Sequence, residues 1–110
     1  MENIKIFVAK EFSDAPGARD ITDGENSGEA FYTSLLRDRF AEAIAGKTKL
    51  YIDFDGTWGY ASSFISGAFG RLADQYGKNT CIQTLEIKSE DDPILPEKIR
   101  IEFEKSENDA

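Results

Sequence analysis

The chain reads as an α/β protein: one small domain, with a mixed or parallel sheet of about four strands and two to three helices packed on it. Three observations predict this class. Apolar alternation of period two opens the chain at Ile4, Ile6 and Val8. Two long stripes at helical spacing follow, and short apolar runs stand between and after them, so strand and helix alternate. That order is the grammar of crossover connections, which join parallel strands through helices. At 110 residues there is room for one core, since single domains commonly run to roughly 100–150 residues. The domain is placed at 1–105, with 106–110 as a disordered acidic tail.

The first strand is expected over Asn3–Lys10. The stretch FSDAPGARDITDGENSG is rich in turn formers and long for a connection, so a second short strand near Ala18–Thr22 is expected to make a hairpin with the first. Asn26 and Glu29 fit a capping box, after which Phe31, Tyr32, Leu35, Leu36, Phe40, Ala43 and Ile44 recur at helical spacing as far as Gly46. Lys49 to Phe54 is a short apolar run ending in Asp-Gly, as a central strand would be. Beyond the loop DGTWGYA, Phe64, Ile65, Ala68, Phe69, Leu72, Ala73 and Tyr76 form a second amphipathic stripe, stopped at Gly77. Cys81 to Ile87 reads as a further strand. In PILPEKIRIEFEKSE, Pro93 suits a helix start while Ile99, Ile101 and Phe103 alternate as in a strand; a third helix is favoured.

Composition narrows the chemistry. A net charge of −8 without clustered Lys or Arg argues against nucleic-acid binding. Nine acids against four bases lie in Glu86–Ala110, a balance that ordinarily keeps a surface solvated. No apolar run approaches the roughly 20 residues of a membrane span, and Met1-Glu2-Asn3 lacks the basic start of a signal peptide, so the cytoplasm is the expected compartment. Cys81 is the single cysteine and reads as a buried thiol. With no histidine, Ser-His and Cys-His nucleophiles and His-bearing metal sites are excluded. No cofactor and no metal are expected.

DFDGT invites two readings. It looks like the first motif of the haloacid dehalogenase-like hydrolases, and that resemblance implies Asp53 as the phosphate-attacking nucleophile and Asp55 as general acid/base. Asp91-Asp92 would then help to hold magnesium, with Lys78 or Lys88 as the lysine. The chemistry is sound, because an acidic pair with Mg²⁺ positions a phosphoryl group. Against it, only 55 residues follow Asp55, and the motif follows a strand and a helix instead of opening the fold. The other reading is a strand-end turn whose Asp and Gly bond the local backbone.

The longer run DFDGTWGYASSFISGAFGRL, with PGARD and GENSGEAF before it, resembles the STAS domains of sulphate transporters and anti-sigma factor antagonists. The likeness is closer to the STAS-like family of unknown function, and it spans roughly Ile4 to Ile87. It implies a non-enzymatic regulatory domain that binds another protein. The implied partner is a GHKL-type ATPase, such as a serine kinase or a histidine-kinase-like protein. The phosphoacceptor position of the antagonists falls on Ser62, with Ser63 beside it; Ala61 stands where those proteins usually carry Asp. Phosphate at a helix start meets free amides and a positive dipole end, and its charge of about −1.5 to −2 would repel an acidic partner. Capping of the helix explains the same serine without phosphorylation. Asp55, Thr57, Trp58, Tyr60 and Ser62 are the expected partner-binding residues. Arg19 with Ser27 and Gly28 could instead form an anion or nucleotide pocket from helix-start amides and a guanidinium. The structural alternative pairs Arg19 with Asp20, Asp23 or Glu25.

Overall fold

The computed structural model describes residues 4–57 and 62–110. Its centre is a parallel sheet of three strands, β1 (Ile4–Phe7), β2 (Leu50–Asp53) and β3 (Leu85–Lys88), in the order β1-β2-β3. Ile4, Leu50 and Leu85 share one rung, and Phe7, Asp53 and Lys88 the last. Alternation along these strands separates two faces. Ile6, Leu50, Ile52 and Leu85 point into the core, while Lys5, Phe7, Tyr51, Glu86 and Lys88 are on the other side.

The helices are α1 (Val8–Glu11), α2 (28–45), α3 (62–76), α4 (Lys78–Thr84) and α5 (Leu95–Glu104). Helices α2 and α3 each contain one π-helical segment, Tyr32–Leu36 and Ser66–Gly70, between α-helical parts. Both carry the apolar stripes of the sequence. Phe31, Phe40, Phe64 and Phe69 are fully buried with Phe54 from the end of β2, and the Phe31 and Phe64 rings lie 5.6 Å apart. Two glycines let backbone meet backbone here. A Cβ on Gly28 would stand 2.3 Å from the Phe64 carbonyl oxygen, and one on Gly67 would stand 2.4 Å from that of Arg19. No helix among the described residues is long and apolar enough to cross a membrane.

Four expectations are corrected. The fourth strand is absent among the described residues: Ala18 has φ 70°, and Ile21–Asp23 is a 3₁₀ turn. The outer edge of β1, which that strand would have used, is closed by side chains. Arg39 donates to the Lys5 carbonyl at 2.8 Å, Glu11 accepts from the Phe7 N–H at 2.7 Å, and the two pair at 3.0 Å. The first strand ends at Phe7 and the chain turns helical, and Cys81 lies on α4 because only Leu85–Lys88 is in register with β2. The first long helix is capped by Ser27, whose hydroxyl accepts the Ala30 N–H at 3.1 Å, while Glu29 accepts from the Ile21 N–H.

The C-terminal segment is helical, as favoured. Pro96 sits in the first turn of α5, and Leu95, Ile99 and Phe103 are buried at a spacing of four, with Ile101 exposed. Residues 106–110 run along the start of α4, with Glu107, Asp109 and Ala110 exposed. The Lys78 and Thr80 N–H groups donate to the Asn108 and Ala110 carbonyls at 3.0 Å each, and Ser106 bonds Asp74 at 2.7 Å.

Candidate functional site

The loops at the carboxyl ends of β2 and β3 meet, which in open parallel sheets is where ligands and partners gather. DFDGT forms half of this junction. Asp53 accepts the Asp55 N–H at 2.9 Å, the local turn expected of an Asp two residues before the donor. Gly56 takes φ 90°, a conformation that favours glycine, and Thr57 donates to the Phe54 carbonyl at 3.0 Å.

The second half comes from the loop after β3. Asp55 accepts the Asp91 N–H at 2.9 Å, and Asp91 in return accepts the Gly56 N–H at 3.0 Å. Each aspartate therefore holds the other loop's backbone. Lys88, at the end of β3, places its ammonium 3.6 Å from Asp53 and 3.4 Å from Asp55. The Asp91 N–H, ahead of the Lys88 ammonium, holds the Asp55 carboxyl below the usual aspartate range, although burial opposes it. The Asp53 charge, and then the facing Asp55 carboxylate, push Lys88 above the usual lysine value. Asp55 Oδ2 is out of contact with solvent and has no hydrogen-bond partner; the Lys88 charge is what faces it.

These engagements bear on phosphoryl transfer. Asp91 lies beside Asp55 but is turned to the Gly56 amide, Asp92 faces Lys98 at 3.4 Å, and Lys88, one of the two lysines that the hydrolase resemblance implies, stands beside both Asp53 and Asp55. No group of three or more acidic, Cys or His side chains among the described residues is arranged to hold a metal ion.

Ser62 begins α3 and is exposed; Ser63 is half-buried. Ser62 lines a hollow of about 210 Å³ with Ile65 of its own helix, Lys98, Ile101 and Glu102 of α5, and Lys105 just beyond it. A bond from Ser66 to Glu102 at 2.8 Å fixes the two helices beside it. Trp58 and Tyr60, expected at the partner surface, and Ala61 lie outside the described residues. Lys98 and Lys105 were not singled out from sequence, because their placement depends on the last segment being a helix.

Around the expected anion-binding residues Arg19, Ser27 and Gly28, the helix-start amides are engaged within the chain. The Gly28 N–H donates to the Ala18 carbonyl at 3.0 Å, the Glu29 N–H to the Arg19 carbonyl at 2.9 Å, and the Ala30 N–H to the buried Ser27. The amides that an anion needs are occupied by the chain itself. Asp20 pairs with Arg71 at 2.7 Å instead of with its neighbour Arg19.

Compared with known families, residues 27–95, more than half of the chain, match the family described as a STAS-like domain of unknown function. The chain belongs to that family. No curated protein and no solved structure matches the chain. The matched part of this STAS-like domain runs from the cap of α2 to the first residue of α5. It therefore includes the aspartate clamp and Ser62, and it leaves β1 and the PGARD stretch outside.

Proposed function

We propose that this STAS-like domain is a non-enzymatic regulatory module that binds another protein through the loop 55–63 and the exposed side of α3. The observation that carries the reading is the pairing of a braced loop with an accessible serine. Asp55 and Asp91 lock the two strand-end loops together, and Ser62 stands exposed on the first turn of the helix that follows. A strand-end turn such as 53–57, held by its own chain, loses less conformational entropy on docking than a loose one. The reciprocal bonds of Asp55 and Asp91 to backbone amides suit a scaffold, while Lys88 beside Asp53 and Asp55 also fits the hydrolase resemblance, so the assay below separates the two.

Phosphorylation of Ser62 is the proposed switch, and a GHKL-type ATPase the proposed partner class. Both rest on the likeness to anti-sigma factor antagonists. The added charge would stand at a helix start and change the sign of the surface that a partner meets.

The test is affinity capture of the full chain from its native host, with wild type and Ser62→Glu in parallel. The expected result is co-purification of an ATPase with the wild type and weaker capture by the variant. Equal capture removes Ser62 from the mechanism. Steady phosphate release from an aryl phosphate with Mg²⁺, abolished by Asp53→Asn, would replace the reading with the hydrolase.

A further inference from the structure

A parallel sheet is ordinarily covered on both faces. Here, among the described residues, the core lies on one face only, and Phe7 and Tyr51 remain 42% and 37% exposed on the other. We propose that a second copy of this chain packs on that open face, sheet against sheet, about a two-fold axis running nearly along β2.

The register supplies the argument. Across the sheet the open face presents two rungs, Lys5–Tyr51–Glu86 and Phe7–Asp53–Lys88. The first carries a cation on one edge strand, an aromatic ring in the middle and an anion on the other edge strand. A two-fold close to the central strand lays β1 of one copy over β3 of the other. Lys5 then faces the Glu86 of the second copy, and Glu86 faces its Lys5, so one rung makes two ion pairs with itself.

Tyr51 meets its own equivalent near the axis, and Phe7 receives the aliphatic stem of the opposing Lys88, whose ammonium stays with its own Asp53 and Asp55. Packed sheets stand about 10 Å apart and cross at about −30°, offsets that a lysine and a glutamate can span. A surface hollow of about 380 Å³, lined by Lys5, Ile6, Phe7, Tyr51 and Asp53, is available for the opposing side chains. Asp53 does not oppose contact near the axis, because it is engaged by the Asp55 N–H and by Lys88.

Charge also favours this face over the rest of the surface. The chain carries −8 overall, so most faces of two copies repel. On the open face Lys5, Lys49 and Lys88 stand against Asp53 and Glu86, and Lys49 already pairs with Glu86 at 3.1 Å. Three strands of four residues span only about 14 by 13 Å of backbone, so the dimer is of the weak, reversible class.

The experiment is sedimentation equilibrium of the full chain from about 10 μM to about 1 mM, the range where interfaces of this size associate. Wild type is expected to show a concentration-dependent monomer–dimer equilibrium. Lys5→Glu sets two carboxylates against each other at both contacts, and Glu86→Lys sets two ammonium groups there. Each alone is expected to weaken dimerisation about tenfold or more. An equimolar mixture of the two variants restores opposite charges at both contacts and is expected to regain the wild-type association. Circular dichroism confirms that both variants are folded, and Tyr51→Glu supplies a third disruption if either is not. A wild type that stays monomeric to the top of the range overturns the proposal. So does a dimer indifferent to the single changes, or a mixture no stronger than its components.

Discussion

Asp55→Asn separates a structural clamp from a catalytic group, because the two roles predict opposite changes in stability. The variant keeps an oxygen that can accept the Asp91 N–H but loses the negative charge facing Lys88. A hydrogen bond to a charged group contributes about 1.5–3 kcal/mol, and a neutral one about 1 kcal/mol. The clamp is near the surface, where ion pairs add little, so the loss at pH 7 is expected at about 1 kcal/mol. For a domain of this size that lowers Tm by about 4 °C.

The pH dependence sharpens the test. Asp55 titrates below its ordinary range in the folded protein, so its contribution is fully present above the unfolded-state pKa and is lost as pH falls through the folded one. The stability gap between wild type and Asp55→Asn should be full at neutral pH and close progressively below about pH 4. Lys88 is shifted the other way. Its share is present below the ordinary lysine value and disappears as pH rises through the folded one, so the gap also narrows in strong alkali. Urea denaturation followed by far-UV circular dichroism, at a series of pH values, measures both limbs. A variant as stable as wild type, or more stable, at pH 7 would refute the clamp. That is the behaviour of a strained functional carboxylate whose removal relieves the fold.

Two further outcomes are expected. Gly67→Ala sets a methyl group 2.4 Å from the Arg19 carbonyl oxygen, which also accepts the Glu29 N–H, so neither neighbour can withdraw without breaking the start of α2. A loss of about 2–3 kcal/mol in urea denaturation is expected, and a loss below about 0.5 kcal/mol would show that α3 and the Arg19 segment separate freely. Burial pushes the fully enclosed Cys81 thiol up to about 12. Labelling by an aromatic disulfide reagent at about pH 8 should therefore be slow in native protein and fast in urea; fast native labelling would contradict that burial.

Local chemistry explains what was legible in the sequence. Helices α2 and α3 were readable because the residues that bury them recur within one turn of each other, from Phe31 to Ala43 and from Phe64 to Ala73. The core rungs of the sheet were readable for the same reason: Ile4 and Ile6 differ visibly from Lys5. The hairpin expected near Ala18–Thr22 failed on contacts that local pattern cannot carry. Arg39 and Glu11, 28 residues apart, close the β1 edge that the hairpin required. The alternation Ile99–Ile101–Phe103 was ambiguous because a period of two and a period of four share positions, and only the burial of Leu95 with Ile99 and Phe103 separates them.

DFDGT posed the same difficulty in its chemical form. The motif gives residue types and spacing, and those suit a nucleophile and a turn equally. The direction in which the carboxylates are engaged bears on that choice, and it depends on Asp91, 36 residues beyond Asp55. A second aspartate whose own side chain returns to the Gly56 amide makes the contact reciprocal. Reciprocity matters physically, because breaking either bond frees only one loop and leaves the other bond to re-form it. The turn 53–57 is thus braced from β3 as well as from β2, so the carboxyl end of the central strand is held by the chain itself.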